Sequence, residues 1–251
     1  MENSFLLADV SKSFGGRNAL DRVSVSGRIG EVFGLVGPSG SGKSLLIGVL
    51  LGEQAPDSGS ATVLGSDCAS LTEPDLGRVG VMSGPHAFSD LFTCRENLSF
   101  WCYLRGLSPS IEVDAALARV GLGTEADKPT GKLSAGMLAR LEIARALIGS
   151  PELVILDEPT AHLDRDSAAA IRAIIESLAK EGKSVLLVSH DLAEVARVCD
   201  RVALLAHGRI AGVRDVPKAD ARERRATEDL RAATVQLEEW YEANLEESGN
   251  E

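Results

Sequence analysis

An α/β domain is predicted by two features of this sequence. Leu153 to Leu156 and Val185 to Val188 are uninterrupted apolar runs, each followed at once by polar residues. Such runs suit parallel strands buried on both faces. Stretches with helical apolar spacing lie around them, and strands alternating with helices place ligands at the carboxyl ends of the strands.

The elements can be read in order. Residues 5–10 and 31–36 (EVFGLV) are short, apolar and rich in branched or aromatic side chains, so they are expected to be strands. Lys43 to Leu51 has helical spacing and stops at Gly52. The turn Asp57-Ser58-Gly59 leads to a further strand, Ser60 to Leu64. From about 85 to 148 the signal is helical, broken at Gly106, Gly121 and Gly131, as expected of a helical insertion. The last 34 or so residues, from 218, place Ala226, Leu230, Ala233, Leu237 and Trp240 at alternating four- and three-residue steps, a single amphipathic helix. Glu238 to Glu251 then carries six glutamates and no basic residue, an acidic end expected to be solvated.

A chain of 251 residues, 44% apolar and 25% charged, has the composition of an ordinary globular protein with ample core. No apolar run approaches the ~20 residues of a membrane-spanning helix. The start, Met1-Glu-Asn-Ser, has no basic stretch leading into an apolar one, so no secretory signal is expected. Cys68, Cys94, Cys102 and Cys199 lack metal-ligand spacing and read as reduced, mostly buried cytosolic thiols. A net charge of −11 argues against a nucleic-acid partner.

Gly37-Pro38-Ser39-Gly40-Ser41-Gly42-Lys43-Ser44 fits GxxxxGK followed by a hydroxyl residue, between an expected strand and an expected helix. Glycines allow backbone N–H groups to turn inward around phosphate oxygens, and a helix N-terminus adds partial positive charge. Lys43 is expected to reach the β- and γ-phosphates of ATP, and the Ser44 hydroxyl to ligate Mg²⁺. The flanking strand and helix disfavour a chance glycine turn. Far downstream, LVILD places Asp157 and Glu158 at the mouth of a buried strand. Asp157 would hold Mg²⁺, and Glu158 would polarise the attacking water. Solvated acids at a strand end are commonplace, so this reading rests on its pairing with the cradle.

Four linked segments, Leu133-Ser-Ala-Gly-Met137, LVILDEPT (153–160), AHLD (161–164) and LLVSHD (186–191), stand in an order that resembles the ABC ATPases. The resemblance covers about residues 4–215. It implies a P-loop NTPase (RecA-like) core with an antiparallel β edge region and a helical subdomain. Residues 1–217 would form the ATPase domain, with the helical subdomain at about 85–148 and the tail at 218–251. It further implies head-to-tail dimers, of this chain with itself or with a homologue. Each ATP would sit between one subunit's cradle and the other's signature residues Ser134, Ala135 and Gly136. His190 looks like the switch histidine at the γ-phosphate, Asp164 like the carboxylate that communicates across the dimer, and Phe14 like the aromatic that stacks on adenine.

Several positions depart from the family pattern. Gly84 stands where a glutamine usually contacts Mg²⁺ and water, with Ser83 or His86 as the neighbours that could substitute. Leu45 replaces a hydroxyl residue that bonds the α-phosphate, a loss of only ~0.5–1.5 kcal/mol for a typical hydrogen bond. Ala135 replaces a glycine and Met137 a glutamine. The Ser-x-Gly-Met form, with RENLSFWCYLRGL (95–107), is most similar to the ABC-2 branch that exports drugs and polysaccharides. That resemblance implies a separate transmembrane permease as partner, membrane contact only through it, and a place on the cytoplasmic membrane face. Phe88, Phe92, Phe100, Trp101 and Tyr103 are half of the aromatic residues, and the family receives the permease's coupling helices in this region. Leu98 and Trp101 are expected on one side of a helix there, Phe100, Tyr103 and Leu107 on another. A soluble ABC ATPase doing mechanical work, and a nucleotide-binding scaffold with little turnover, remain as alternative classes.

Overall fold

The computed structural model describes residues 2–83, 88–217 and 226–249, so Gly84 and His86 lie outside the described residues. Two compact units divide the chain, one formed by Met1–Thr72 with Ser184–Glu251 and the other by Glu73–Lys183.

The first unit opens with β1 (Asn3–Phe14) and β2 (Arg17–Arg28), followed by β3 (Val32–Val36), α1 (Lys43–Leu50), β4 (Ser58–Val63) and β5 (Ser66–Asp67). Strands β2-β1-β4-β5 form an antiparallel sheet. Leu7, Val10, Leu20 and Val23 are fully buried from it, three residues apart in each strand because β1 and β2 pair with register shifts. The unit resumes with β8 (Ser184–Val188), α7 (Leu192–Val198), β9 (Arg201–Ala206), β10 (Arg209–Asp215) and α8 (Ala226–Gly249). Here β3 lies between β8 and β9, parallel to both, and β10 closes antiparallel on β9. Every residue of β3 and β8 is buried. Phe5 meets Phe33 edge to face at 5.4 Å, joining the two sheets, and Arg201 lies over the Phe33 ring while pairing with buried Glu31 at 3.2 Å.

The tail helix α8 packs on its own unit. Ala233 and Leu237 are buried, and full burial of a leucine stabilises by roughly 1.5–3 kcal/mol. The Arg214 guanidinium donates to the Gln236 carbonyl at 2.9 Å and lies 5.9 Å from the Trp240 ring centre. Gly212 is needed for this approach, because a Cβ there would fall 2.8 Å from Asn244 Oδ1.

The second unit contains α2 (Glu73–Gly77), β6 (Val79–Met82), α3 (Cys94–Leu104), α4 (Pro109–Arg119), α5 (Ala135–Leu147), β7 (Leu153–Asp157) and α6 (Arg165–Lys180). Strands β6 and β7 run parallel, Val79 opposite Leu153. Helix α3 starts in a capping box, Thr93 Oγ1 accepting from the Glu96 amide while the Glu96 carboxylate accepts from the Thr93 amide. Leu98 of α3 is buried and Trp101 is half-buried, whereas Phe100 and Tyr103 are exposed. Leu107 does not share their face. It lies beyond the helix end, half-buried beside Gly149.

All four cysteines are buried, and none forms a disulfide among the described residues. Burial, with Asp67 adding to it, pushes the Cys68 thiol up to about 12, and burial also raises Cys94 and Cys102. Among the described residues, no helix is long and apolar enough to cross a membrane.

Candidate functional site

In the first unit, β3 ends at Val36 and the glycine loop begins, leading straight into α1. The loop is held by close backbone approaches and by the Lys43 side chain. A Cβ on Gly37 would run into the Leu205 carbonyl oxygen, and one on Gly42 would sit 2.9 Å from the Ala19 carbonyl oxygen. Gly42, the residue before α1, also has φ +111°, a conformation other residues rarely take. The Lys43 ammonium folds back along the loop, donating to the carbonyls of Gly37 at 2.7 Å and Pro38 at 3.0 Å. Among the described residues no side chain caps α1, and the first turn of any helix leaves amides such as those of Ser44 and Leu45 without an intrahelical acceptor.

These features fit a bound polyphosphate. Exposed Ser39 and Gly40 lie at the loop's rim, and the buried Ser41 hydroxyl has no hydrogen-bond partner among the described residues. Ser44 is exposed, as a hydroxyl offered to a cation must be, and Leu45 is half-buried. An α-helical N-terminus behind such a loop favours an anion by ~0.3–1 kcal/mol or more through its dipole.

His190 belongs to the same edge of the same sheet. Strands β3 and β8 are parallel neighbours, with Leu35 opposite Val188, so the loop after Val36 and the segment Ser189-His190 leave adjacent carboxyl ends. His190 is exposed, while Ser189 beside it is buried, donating its hydroxyl to Glu194 at 2.8 Å and accepting from the Asp191 amide at 3.1 Å. Asp191 in turn caps α7, accepting from the amides of Ala193 and Glu194. The backbone around the histidine is thereby fixed on both sides. Phe14, at the end of β1, is 53% exposed with the Lys12 ammonium 5.7 Å from its ring centre, so a planar partner has a free face to meet.

The second unit holds the downstream carboxylates. Asp157 ends β7, and Glu158 follows with φ +53°, an unusual backbone state for a residue with a side chain. A cavity of about 280 Å³ is lined by Ser83, Ala135, Glu142, Asp157, Glu158 and His162. The rest of its lining is apolar, Met82, Ala139 and Leu163 among it, and the carboxylates of Asp157 and Glu158 are the oxygen donors that suit a hard divalent cation such as Mg²⁺. The motif reading did not single out Glu142 or His162. Glu142 is buried in α5, bonded to Arg145 at 2.9 Å, and Arg145 lies 4.9 Å from the Trp101 ring centre while donating to the Val81 carbonyl. A charge on the buried stripe of α5 was the available signal.

Ser134 is the N-cap of α5, its hydroxyl accepting from the Met137 amide at 3.2 Å. Ser134 and Ala135 are exposed, so this helix start is open to a ligand. Gly136 is buried, and any Cβ there would strike the side chain of Ser167 on α6. Asp164 caps α6, accepting from the amides of Asp166 (3.0 Å) and Ser167 (2.9 Å) and from the Ser167 hydroxyl (2.8 Å). These bonds, Ser167's first, hold its carboxyl below the ordinary value of 3.8. The cap therefore stabilises fully above about 3.8 and is lost as pH falls through the lowered value. Asp164→Ala is expected to lower the melting temperature at pH 7, and Asp164→Asn, which keeps an acceptor, to restore most of it.

A family profile described as "ABC transporter" matches residues 20–161. The Nod factor export ATP-binding protein I of Sinorhizobium fredii is 40% identical over 208 residues, 81% of this chain and 60% of that protein. The chain thus spans about 60% of the length of that curated relative. A solved ATP-binding cassette of an ABC transporter superposes with a TM-score of 0.79 at 26% identity, covering 86% of this chain and 92% of the other. An ADP conformation of an ABC transporter cassette gives 0.77 at 27% identity with the same coverage. The fold is that of the ABC ATPase cassette, and the chain belongs to the ABC transporter family.

Proposed function

We propose that this chain binds and hydrolyses ATP and drives export through a separate transmembrane permease, at the cytoplasmic face of the membrane. The observation that carries the reading is the shared sheet edge, where the glycine cradle and His190 leave two adjacent parallel strands. Phe14 would stack on adenine and residues 37–45 would hold the phosphates. Residues 1–217 would act as the ATPase domain, with the tail from 218 outside it. Mg²⁺, held by Ser44 and Asp157, would supply charge neutralisation at the phosphates. Glu158 would accept the proton of the attacking water, and His190 would steady the γ-phosphate.

Dimerisation belongs to the same proposal, head to tail, with an identical or homologous second subunit. The start of α5, exposed Ser134 and Ala135 with buried Gly136 behind them, would close on the partner's nucleotide, and Asp164 would lie at the joint. A Nod factor export relative supports the exporter class. The permease contact is assigned to the exposed apolar side of the second unit, where Leu91 (88% exposed), Tyr103 (71%) and Leu104 (62%) face outward. Purification from membranes with a tagged chain tests this. A multi-spanning protein should co-purify, and Tyr103→Glu with Leu104→Glu should release it while nucleotide binding stays unchanged. Retention of the partner by that variant would reject the surface; purification without any membrane partner would favour a soluble motor.

A further inference from the structure

The C-terminal helix has no part in the reading above, yet it packs on β9 and β10, whose connecting turn meets the phosphate loop. The link is the turn between β9 and β10, His207-Gly208. The Gly208 amide donates to the Ser41 carbonyl at 3.2 Å, and the Gly208 carbonyl accepts from the Asp21 amide at 2.8 Å. Gly208 has φ +77°, and a Cβ on it would lie 2.8 Å from the Ala19 carbonyl oxygen. The same stretch of backbone limits the loop elsewhere, since Leu205 crowds Gly37 and Ala19 crowds Gly42. Three of the loop's residues therefore bear on two segments, Ala19–Asp21 and Leu205–Gly208. Arg209 locks those segments to each other through its ion pair with Asp21 at 2.7 Å.

On its far side this assembly meets α8. A cavity of about 420 Å³ is bounded by Asn18, His207 and Arg209 on one side and by Asn244, Glu247 and Ser248 of α8 on the other. Strand β10 connects the two: it begins at Arg209, next to the turn, and carries the Gly212 and Arg214 contacts to Trp240, Asn244 and the Gln236 carbonyl.

We infer that Gly208 is a positioning residue for the nucleotide cradle and that α8, acting through β10, holds it in place. This rests on the nucleotide-binding reading of the cradle. The Ser41 carbonyl is tied down so that the amides after it point away from it, toward the phosphates. Loss of the turn's geometry lets the cradle relax without emptying the core.

The test measures the affinity of a fluorescent ATP analogue and the melting temperature of the full-length chain. Gly208→Ala is expected to weaken binding about tenfold, the equivalent of losing one well-placed hydrogen bond and the order it imposes. Gly65→Ala is the matched control. Gly65 has φ +83° with no atom within 4 Å of an added Cβ, so it shares the backbone strain without touching the loop, and its affinity should not change. Asp21→Asn and Arg214→Met, which loosen the turn and its anchor on α8, are expected to weaken binding several-fold while the proteins still melt cooperatively. They also carry the test should Gly208→Ala fail to fold. Lower melting temperatures with unchanged affinity in these variants would overturn the inference. Unchanged affinity in Lys43→Ala as well would reject the cradle reading itself, a different outcome.

Discussion

Glu158→Gln is expected to keep ATP affinity, to accumulate a nucleotide-bound dimer and to hydrolyse at least ~100-fold more slowly, the lower range for losing general-base assistance. The substitution is nearly isosteric, so the side chain still fits the cavity it shares with Asp157 and Glu142. What it loses is the ability to accept a proton. The backbone supports the assignment: Glu158 at φ +53° is held where a side chain costs of order 1–3 kcal/mol, and such positions cluster at functional sites. Phosphate release by the purified chain, alone and with any membrane protein that co-purifies, together with its elution volume in ATP, reads both effects. Near-normal turnover would remove Glu158 from the proposed chemistry.

Lys43→Ala is expected to weaken nucleotide binding by about 100-fold or more, since charge-assisted hydrogen bonds contribute ~1.5–3 kcal/mol each and this ammonium can make several. The structure adds a second reason. The same ammonium bridges the Gly37 and Pro38 carbonyls, so its removal takes away a clamp on the loop along with the charge. Lys43→Arg separates the two contributions. It keeps the charge but cannot reproduce a compact ammonium between those carbonyls, so binding should recover only in part. Titration with a fluorescent ATP analogue decides, and wild-type affinity in Lys43→Ala would mean that the cradle is not the site.

Much of the fold was legible because burial writes itself into short runs. LVIL and VLLV are strands β7 and β8, and the helix after the cradle begins at Lys43 as its motif demands. Strands β2, β5, β6, β9 and β10 went unread. In β2 the buried positions Leu20, Val23 and Val25 break strict alternation, because β1 and β2 pair with register shifts. In β9, Val202 to Ala206 is a continuous apolar run, but nothing in its local pattern separates it from a buried helix of the same length. The cradle, Asp157 and Glu158 were visible as motifs, since backbone chemistry dictates their residue types. The capping duty of Asp164 was not, because the acceptor of the Ser167 amide depends on how the chain turns into α6. Nor was the role of Gly208, whose partner Ser41 lies 167 residues earlier in the chain.

The four sequestered thiols have a practical consequence. Alkylating reagents attack the thiolate, and a thiol near 12, like that of Cys68, is almost wholly protonated at neutral pH. Maleimide chemistry on the folded chain should therefore pass over the native cysteines. A cysteine introduced at exposed Ala135 or Phe100 would be the site that accepts a spin or fluorescent label, without first constructing a cysteine-free background.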